Sequence, residues 1–192
     1  MEETTAAVMD QVVRQMTKRA GKYLTFKLAG EEYGLEILKV REIIGLMEIT
    51  AVPRTPGFIR GVINLRGKVI PVVDLRTKFG MESREDTNET CIIVVDVVQK
   101  DNESILMGIL VDTVSEVLDI IEEDIEDTPS FGNDVDTNFI MGMGKIKGTV
   151  KILLDIDKVL TAGDVSCIKG SVPKNYGGGA ASQFDGEEVS VQ

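Results

Sequence analysis

Three stretches of the 192-residue chain combine residue types and spacings that could do chemistry. In "GVINLRGKVIPVVDL" (61–75), Arg66 and Lys68 flank a glycine between two apolar runs. A phosphate loop needs four residues between its glycines and a Ser or Thr after its lysine. Here five residues separate Gly61 from Gly67, and Val69 follows Lys68, so the stretch reads as a hairpin turn. Asp155 and Asp157 form a D-x-D pair of the kind that holds a metal or shares acid and base roles. "DVDTNF" (134–139) starts like a calcium loop, but Phe139 takes the place of its glycine and Lys145 that of its terminal Glu. "GMGKIKG" (142–148) has the wrong glycine offsets for a dinucleotide fingerprint. The chain has no histidine, which excludes Ser-His and Cys-His nucleophilic pairs and histidine-bound zinc. Cys91 and Cys167 fit no zinc or redox spacing and read as free thiols of a reducing compartment. No active site assembles from these parts, and neither cofactor nor metal is expected.

The elements that would position Arg66 belong to a chain that is 43% hydrophobic and 28% charged, enough for one globular unit or two small ones. The net charge of −11, from 32 acidic against 21 basic residues, repels phosphate backbones and anionic membranes on average. Nucleic acid is therefore not an expected partner. No apolar run approaches the ~20 residues of a membrane span. The N-terminus lacks the apolar segment of a signal peptide. Direct membrane insertion is not expected, and the expected location is cytoplasmic.

Val8, Val12 and Met16 share one face of a candidate N-terminal helix that Ala20-Gly21 would stop. Beyond it the chain reads as strands. Leu24, Phe26 and Leu28, then Tyr33, Leu35 and Ile37, alternate about a turn at Gly30-Glu31. "CIIVVDVV" and "SILMGILVDTV" form a second hairpin around "QKDNE", 61–64 with 68–74 a third, and "MGKIKGTVKILLDI" a fourth. Pro71 within a strand predicts an edge or a bulge there.

The chain also repeats itself. "GLEILKVREII" (34–44) aligns without gaps on "GILVDTVSEVL" (108–118), and "FIRGVINLRGKVIPVVDL" (58–75) on "FIMGMGKIKGTVKILLDI" (139–156). Gly34, Val40, Glu42, Phe58, Gly61, Gly67 and Asp74 meet identical residues. The offset changes from 74 to 81 through an insertion in the loop around "EDTPSFGNDVDTN". Residues 22–161 thus hold two copies of one β-rich unit, 22–88 and 89–161. With no helices alternating between the strands, two small barrels are predicted rather than a βαβ sheet. The stretch 1–21 is an extension, and 162–192, rich in Gly and Ser, a tail expected to be partly disordered. "EEDIEDTP" reads as a solvated loop or helix edge, and Asp157 as an acidic residue at a helix start.

Glu42 and Arg66 in the first copy correspond to Glu116 and Lys147 in the second. Two readings are compatible: each acid–base pair bridges within its own unit, and Arg66 presents its guanidinium to a partner.

"FKLAGEEYGLEILKVREI", "TPGFIRGVINLRGKVIPVVDLRTKFG" and "GILVDTVSEVL" resemble the CheW-like family of chemotaxis coupling domains over nearly all of 22–161. That family also holds the regulatory domain of the CheA kinase and the coupling half of CheV. Kinase and phosphoacceptor segments are missing here, so the stand-alone coupling protein is the best match. The resemblance implies an all-β fold of two pseudo-symmetric five-stranded SH3-like barrels with short helices; strand exchange between them stays open. It implies a non-catalytic adaptor joining the cytoplasmic tips of methyl-accepting chemotaxis receptors to the CheA regulatory domain, in arrays beneath the inner membrane. A related scaffold serving a different receptor–kinase pathway is the alternative. The family pattern maps a receptor groove between the barrels onto Ile37, Val40, Arg66, Met107 and Val114. It maps the kinase side onto Glu42 and Gly61, with Phe131 for a second, ring-building contact. Core packing for Ile37 and Met107, and a backbone requirement for Gly61, are the structural counterparts of these assignments.

Overall fold

The computed structural model describes residues 19–99, 102–130, 136–161 and 163–164. The candidate N-terminal helix, Phe131, Cys167 and the C-terminal tail lie outside these residues. The period-two stretches become antiparallel hairpins: β1 (Gly21–Leu28) with β2 (Glu31–Glu36), β4 (Ile59–Leu65) with β5 (Lys68–Asp74), β6 (Cys91–Val98) with β7 (Ser104–Val111), and β10 (Ile140–Ile146) with β11 (Thr149–Leu154). β3 (Val40–Gly45), β8 (Thr113–Ile120) and the short β9 (Ile125–Glu126) complete the strands. One-turn helices α1 (Leu75–Lys78) and α2 (Ile156–Val159) follow β5 and β11. Asp74 and Asp155 cap them, accepting from the Thr77 and Asp157 N–H groups at 3.2 Å each.

Three two-residue turns share one geometry. Ala29-Gly30, Arg66-Gly67 and Lys147-Gly148 all have positive φ at both positions, between 49° and 88°, as a type I′ hairpin requires. The first turn therefore sits one residue earlier than the alternation suggested.

Two sheets result, ordered β3-β6-β7-β5-β4 and β8-β1-β2-β11-β10-β9. The β1–β2 hairpin of the first copy is built into the sheet completed by β8, β10 and β11 of the second, and β6–β7 into that completed by β3, β4 and β5. The copies exchange hairpins. The second sheet has six strands because β9 pairs Glu126 with Met143; its counterpart in the first is the single bridge Thr50–Val62. Pro71 is not on an edge, since β5 lies between β4 and β7. It is tolerated because β5 meets β7 only from Val72 to Asp74, so no ladder bond to β7 needs its missing N–H.

The seams between hairpins explain two matched glycines. Gly34 pairs with Leu153 and Gly108 with Val72, which are themselves counterparts. A methyl group at Gly34 would stand 2.9 Å from Leu153, and one at Gly108 2.8 Å from Ile92. Each sheet wraps its own apolar cluster: Ile63, Ile70, Val72, Ile92, Val94 and Leu110 in the first, Tyr23, Ile120, Ile125 and Leu153 in the second. A larger core lies where the exchanged hairpins meet, with Leu24, Phe26, Leu35, Val95, Met107 and Ile109 among its buried members. Each fully buried aliphatic side chain there contributes roughly 1.5–3 kcal/mol. That shared core fixes how the two barrels face each other.

Candidate docking site between and beside the barrels

Arg66 occupies the first position of the β4–β5 turn, where its backbone has φ 51°. Its counterpart Lys147 has φ 49°, so the turn geometry, not a local strain, sets this conformation. The guanidinium reaches across to β3 and grips Glu42 with two parallel hydrogen bonds, Nη1 to Oε2 at 2.9 Å and Nη2 to Oε1 at 2.5 Å. Arg66 remains 76% exposed while Glu42 is 27% exposed. The two bonds fix the orientation of a guanidinium that stays largely in solvent. Beside it lies a depression lined by Glu42, Arg66, Lys68, Asp96 and Leu106, in which Arg41 pairs with Asp96.

The second unit lacks this device. Glu116 and Lys147 form no ion pair among the described residues, which corrects the expected second bridge. A lysine offers one ammonium where arginine offers a planar fork. The neighbouring Lys145 pairs with Glu126 on β9 at 2.6 Å, and Glu126 holds its ammonium pKa above the ordinary value. The Glu116 backbone is engaged by the buried Thr25 hydroxyl, which donates to its carbonyl at 2.8 Å.

The residues mapped to the groove divide by burial. Ile37, in a 3-10 turn (Ile37–Lys39), Val40 at the start of β3, and Val114 on β8 are half-buried and pack against the shared core. Met107 is fully buried in that core, so it supports the surface and touches no partner in this arrangement. Sequence reasoning missed Leu38, which is 87% exposed in the same 3-10 turn. The one signal in the sequence was that its counterpart in the second copy is a charged residue, Asp112. Gly61 has φ 142°, and a methyl group on it would lie 2.1 Å from the Thr50 carbonyl oxygen. Its place is dictated by the Thr50–Val62 bridge and the bulge between Ile59 and Gly61.

The D-x-D pair is structural. Asp155 caps α2, and Asp157 accepts from Lys39 Nζ at 2.5 Å and from the Val98 N–H at 2.9 Å. Among the described residues no group of three acids or cysteines could hold a metal ion, and no helix is long and apolar enough to cross a membrane. Burial pushes the Cys91 thiol pKa up, the opposite of what an activated nucleophile needs. In "EEDIEDTP", Glu122 is more than solvated. It accepts from the Arg19 and Ala20 N–H groups at 2.8 and 3.1 Å.

Comparison with known proteins agrees with this geometry. Residues 22–164 match the family model of the CheW-like domain. The chain is 38% identical over 147 residues to the chemotaxis protein CheW of Klebsiella aerogenes, covering 77% of this chain and 86% of that protein. It is 34% identical to CheW of Rhizobium meliloti, over 79% of this chain and 94% of the other. The crystal structure of the scaffolding protein TtCheW from Thermoanaerobacter tengcongensis superposes with a TM-score of 0.66 at 36% identity, covering 76% of this chain and 95% of that one. Two hairpin-exchanged barrels, an exposed arginine clamped at a turn and these relatives lead to one conclusion: the chain belongs to the CheW-like family and is a non-catalytic chemotaxis scaffold.

Proposed function

We propose that this scaffold couples the cytoplasmic tips of methyl-accepting chemotaxis receptors to the regulatory domain of the CheA kinase, in arrays beneath the inner membrane. The observation that carries the reading is the Arg66–Glu42 pair: a guanidinium fixed by two hydrogen bonds yet 76% exposed is pre-organised to dock. In this reading Ile37, Val40, Val114 and Arg66 present the receptor surface, with Met107 beneath them. Glu42 and Gly61 belong to the kinase surface on the first barrel, and Phe131 to the ring-building contact. Separate weak interfaces suffice, since an array multiplies them by avidity. Calorimetric titration with the isolated regulatory domain of CheA tests the proposal. Saturable one-to-one heat is expected, and absence of binding at high micromolar concentration would instead favour a different receptor–kinase pathway.

A further inference from the structure

β3 and β4 are the two edges of the five-stranded sheet, and the Glu42–Arg66 pair ties the first to the turn that ends the second. The depression beside that pair, ≈ 520 Å³ in volume, has an apolar floor. Ile70 and Val94 are buried beneath it, and Leu65 and Leu106 are half-buried at its surface. Its rim carries the cations Arg41, Arg66 and Lys68 and the acids Glu42 and Asp96. Both acids are engaged, Glu42 by Arg66 and Asp96 by Arg41. The cations are not used up. Arg66 and Arg41 each spend two N–H groups on their acid, keep the others, and stay mostly exposed. Lys68, exposed at the start of β5, has no ion pair among the described residues. In a chain of net charge −11, the free capacity at this mouth is for an anion.

In the second barrel the same place is filled from within. Ile70 and Leu106 correspond there to Lys151 and Glu32, which pair with each other, and Lys151 is only 4% exposed. Two rim cations are lost as well, since Arg41 corresponds to Ser115 and Lys68 to Thr149. Apolar floor and cationic rim therefore occur together, and of the two barrels only in the first. We propose that the mouth of the first barrel is a socket for an acidic segment of a partner protein. One aliphatic side chain of that segment seats on Leu65 and Leu106, and its flanking carboxylates meet Lys68, Arg41 and Arg66. The inference rests on the docking role given to Arg66 and adds the chemistry of what docks there. Burial of the aliphatic group holds the segment, while the cations select and orient it.

Methyl NMR of the full-length protein, titrated with N-acetylated and amidated tripeptides, tests this with neither kinase nor receptor present. Glu-Leu-Glu is expected to bind saturably, shifting the Leu65 and Leu106 methyls while those of Ile146, the counterpart of Leu65, stay in place. Glu-Ala-Glu and Lys-Leu-Lys should each bind about tenfold more weakly, the first for want of apolar burial and the second through repulsion at the rim. Lys68→Glu, at an exposed site, should lower the affinity for Glu-Leu-Glu about fivefold or more. Leu106→Glu, which copies the second barrel, should abolish binding. Equal affinity for the acidic and basic peptides, undiminished binding of Glu-Ala-Glu, unchanged affinity in Lys68→Glu, or no saturable shift at Leu65 and Leu106 overturns the proposal. Calorimetry with CheA stands or falls separately, so a failed socket and a failed coupling role are told apart.

Discussion

Arg76 and Asp157 occupy equivalent positions of the two repeats with opposite charge, and each pins a segment by which the chain crosses between barrels. Arg76 donates from Nε and Nη2 to the two carboxylate oxygens of Asp112 at 2.6 Å each, between β7 and β8. Asp157 accepts from Lys39 at 2.5 Å, between β2 and β3. The duplication kept the task of locking the crossover and reversed the charge. Arg76→Ala leaves the Asp112 carboxylate, 19% exposed, without its main partner. A loss of about 1–3 kcal/mol is expected, measured by urea unfolding alongside Asp112→Ala and the double variant. Additive losses would show that the pair is not coupled.

Acid should weaken the same lock. Burial acts to raise the Asp112 pKa, but hydrogen bonds from Arg76 and from the Ala29 N–H outweigh it and hold the carboxyl below its ordinary value. Glu122 is likewise lowered against burial by the Arg19 and Ala20 donors. A carboxyl depressed in the fold binds fewer protons than when unfolded, so its stabilisation is complete above about pH 4 to 5 and fades as pH falls through the folded pKa. Unfolding midpoints are expected to fall below about pH 4, and less steeply in Asp112→Asn.

Arg66→Ala separates docking from stability. The Arg66 side chain is mostly in water, so its bridge to Glu42 contributes only about 0–1 kcal/mol. Urea midpoints should barely move. If Arg66 anchors the receptor tip, the dissociation constant should rise about thirtyfold, or ~2 kcal/mol. Equal losses of stability and of affinity would return Arg66 to a purely structural role.

The repeat made much of this legible before any coordinates. Alternation located the four hairpins, and the match of Gly61 with Gly142 pointed to a backbone requirement, which the structure explains by a bulge at each; that Gly34 and Gly108 sit at the seams between hairpins emerged only with the strand pairing. The Glu42–Arg66 pair was readable because an acid and a base recur together at these positions, Glu116 and Lys147 in the second copy. What stayed hidden depended on partners distant in sequence. Nothing in the period of "SILMGILV" distinguishes Met107, which faces the shared core, from a residue facing a groove. The hairpin exchange was equally silent, since either pairing buries the same apolar faces. Glu116 and Lys147 looked like a second bridge because register reports position, while the fork of Arg66 decides geometry.

The second barrel carries a buried lysine where the first has Ile70. Lys151 is 4% exposed, faces Gly144 across the hairpin, and ends on Glu32. Its stem fills space that Ile63 and Ile70 fill in the first barrel. Removing only the acid leaves the ammonium buried and unpaired, so Glu32→Ala is expected to cost about 2–4 kcal/mol. Lys151→Met keeps the volume without the charge and should cost less or stabilise. Thermal unfolding of the two variants decides the order, and the reverse order would show that the ion pair outweighs the packing.

Two glycines of matching strands should respond oppositely to a methyl group. At Gly144 an added methyl would sit 3.4 Å from Ile120 and 3.7 Å from Leu153, ordinary contact distances inside the barrel with the smaller apolar cluster. Gly144→Ala is therefore expected to leave stability unchanged or raise it by about 0.4–1 kcal/mol, through the lower entropy of the unfolded chain. At Gly61 the methyl meets the Thr50 carbonyl at 2.1 Å and the backbone has φ 142°, so the Thr50–Val62 bridge must open. Gly61→Ala should cost about 2 kcal/mol or more. It should also weaken kinase binding, because the segment carrying Ile49 and Thr50 shifts beside the surface assigned to the kinase. Calorimetry of both variants with the CheA regulatory domain, at a temperature where each stays folded, separates the causes. Lost affinity in a folded Gly61→Ala alone ties the kinase surface to the Thr50 edge, and unchanged affinity would confine Gly61 to the backbone.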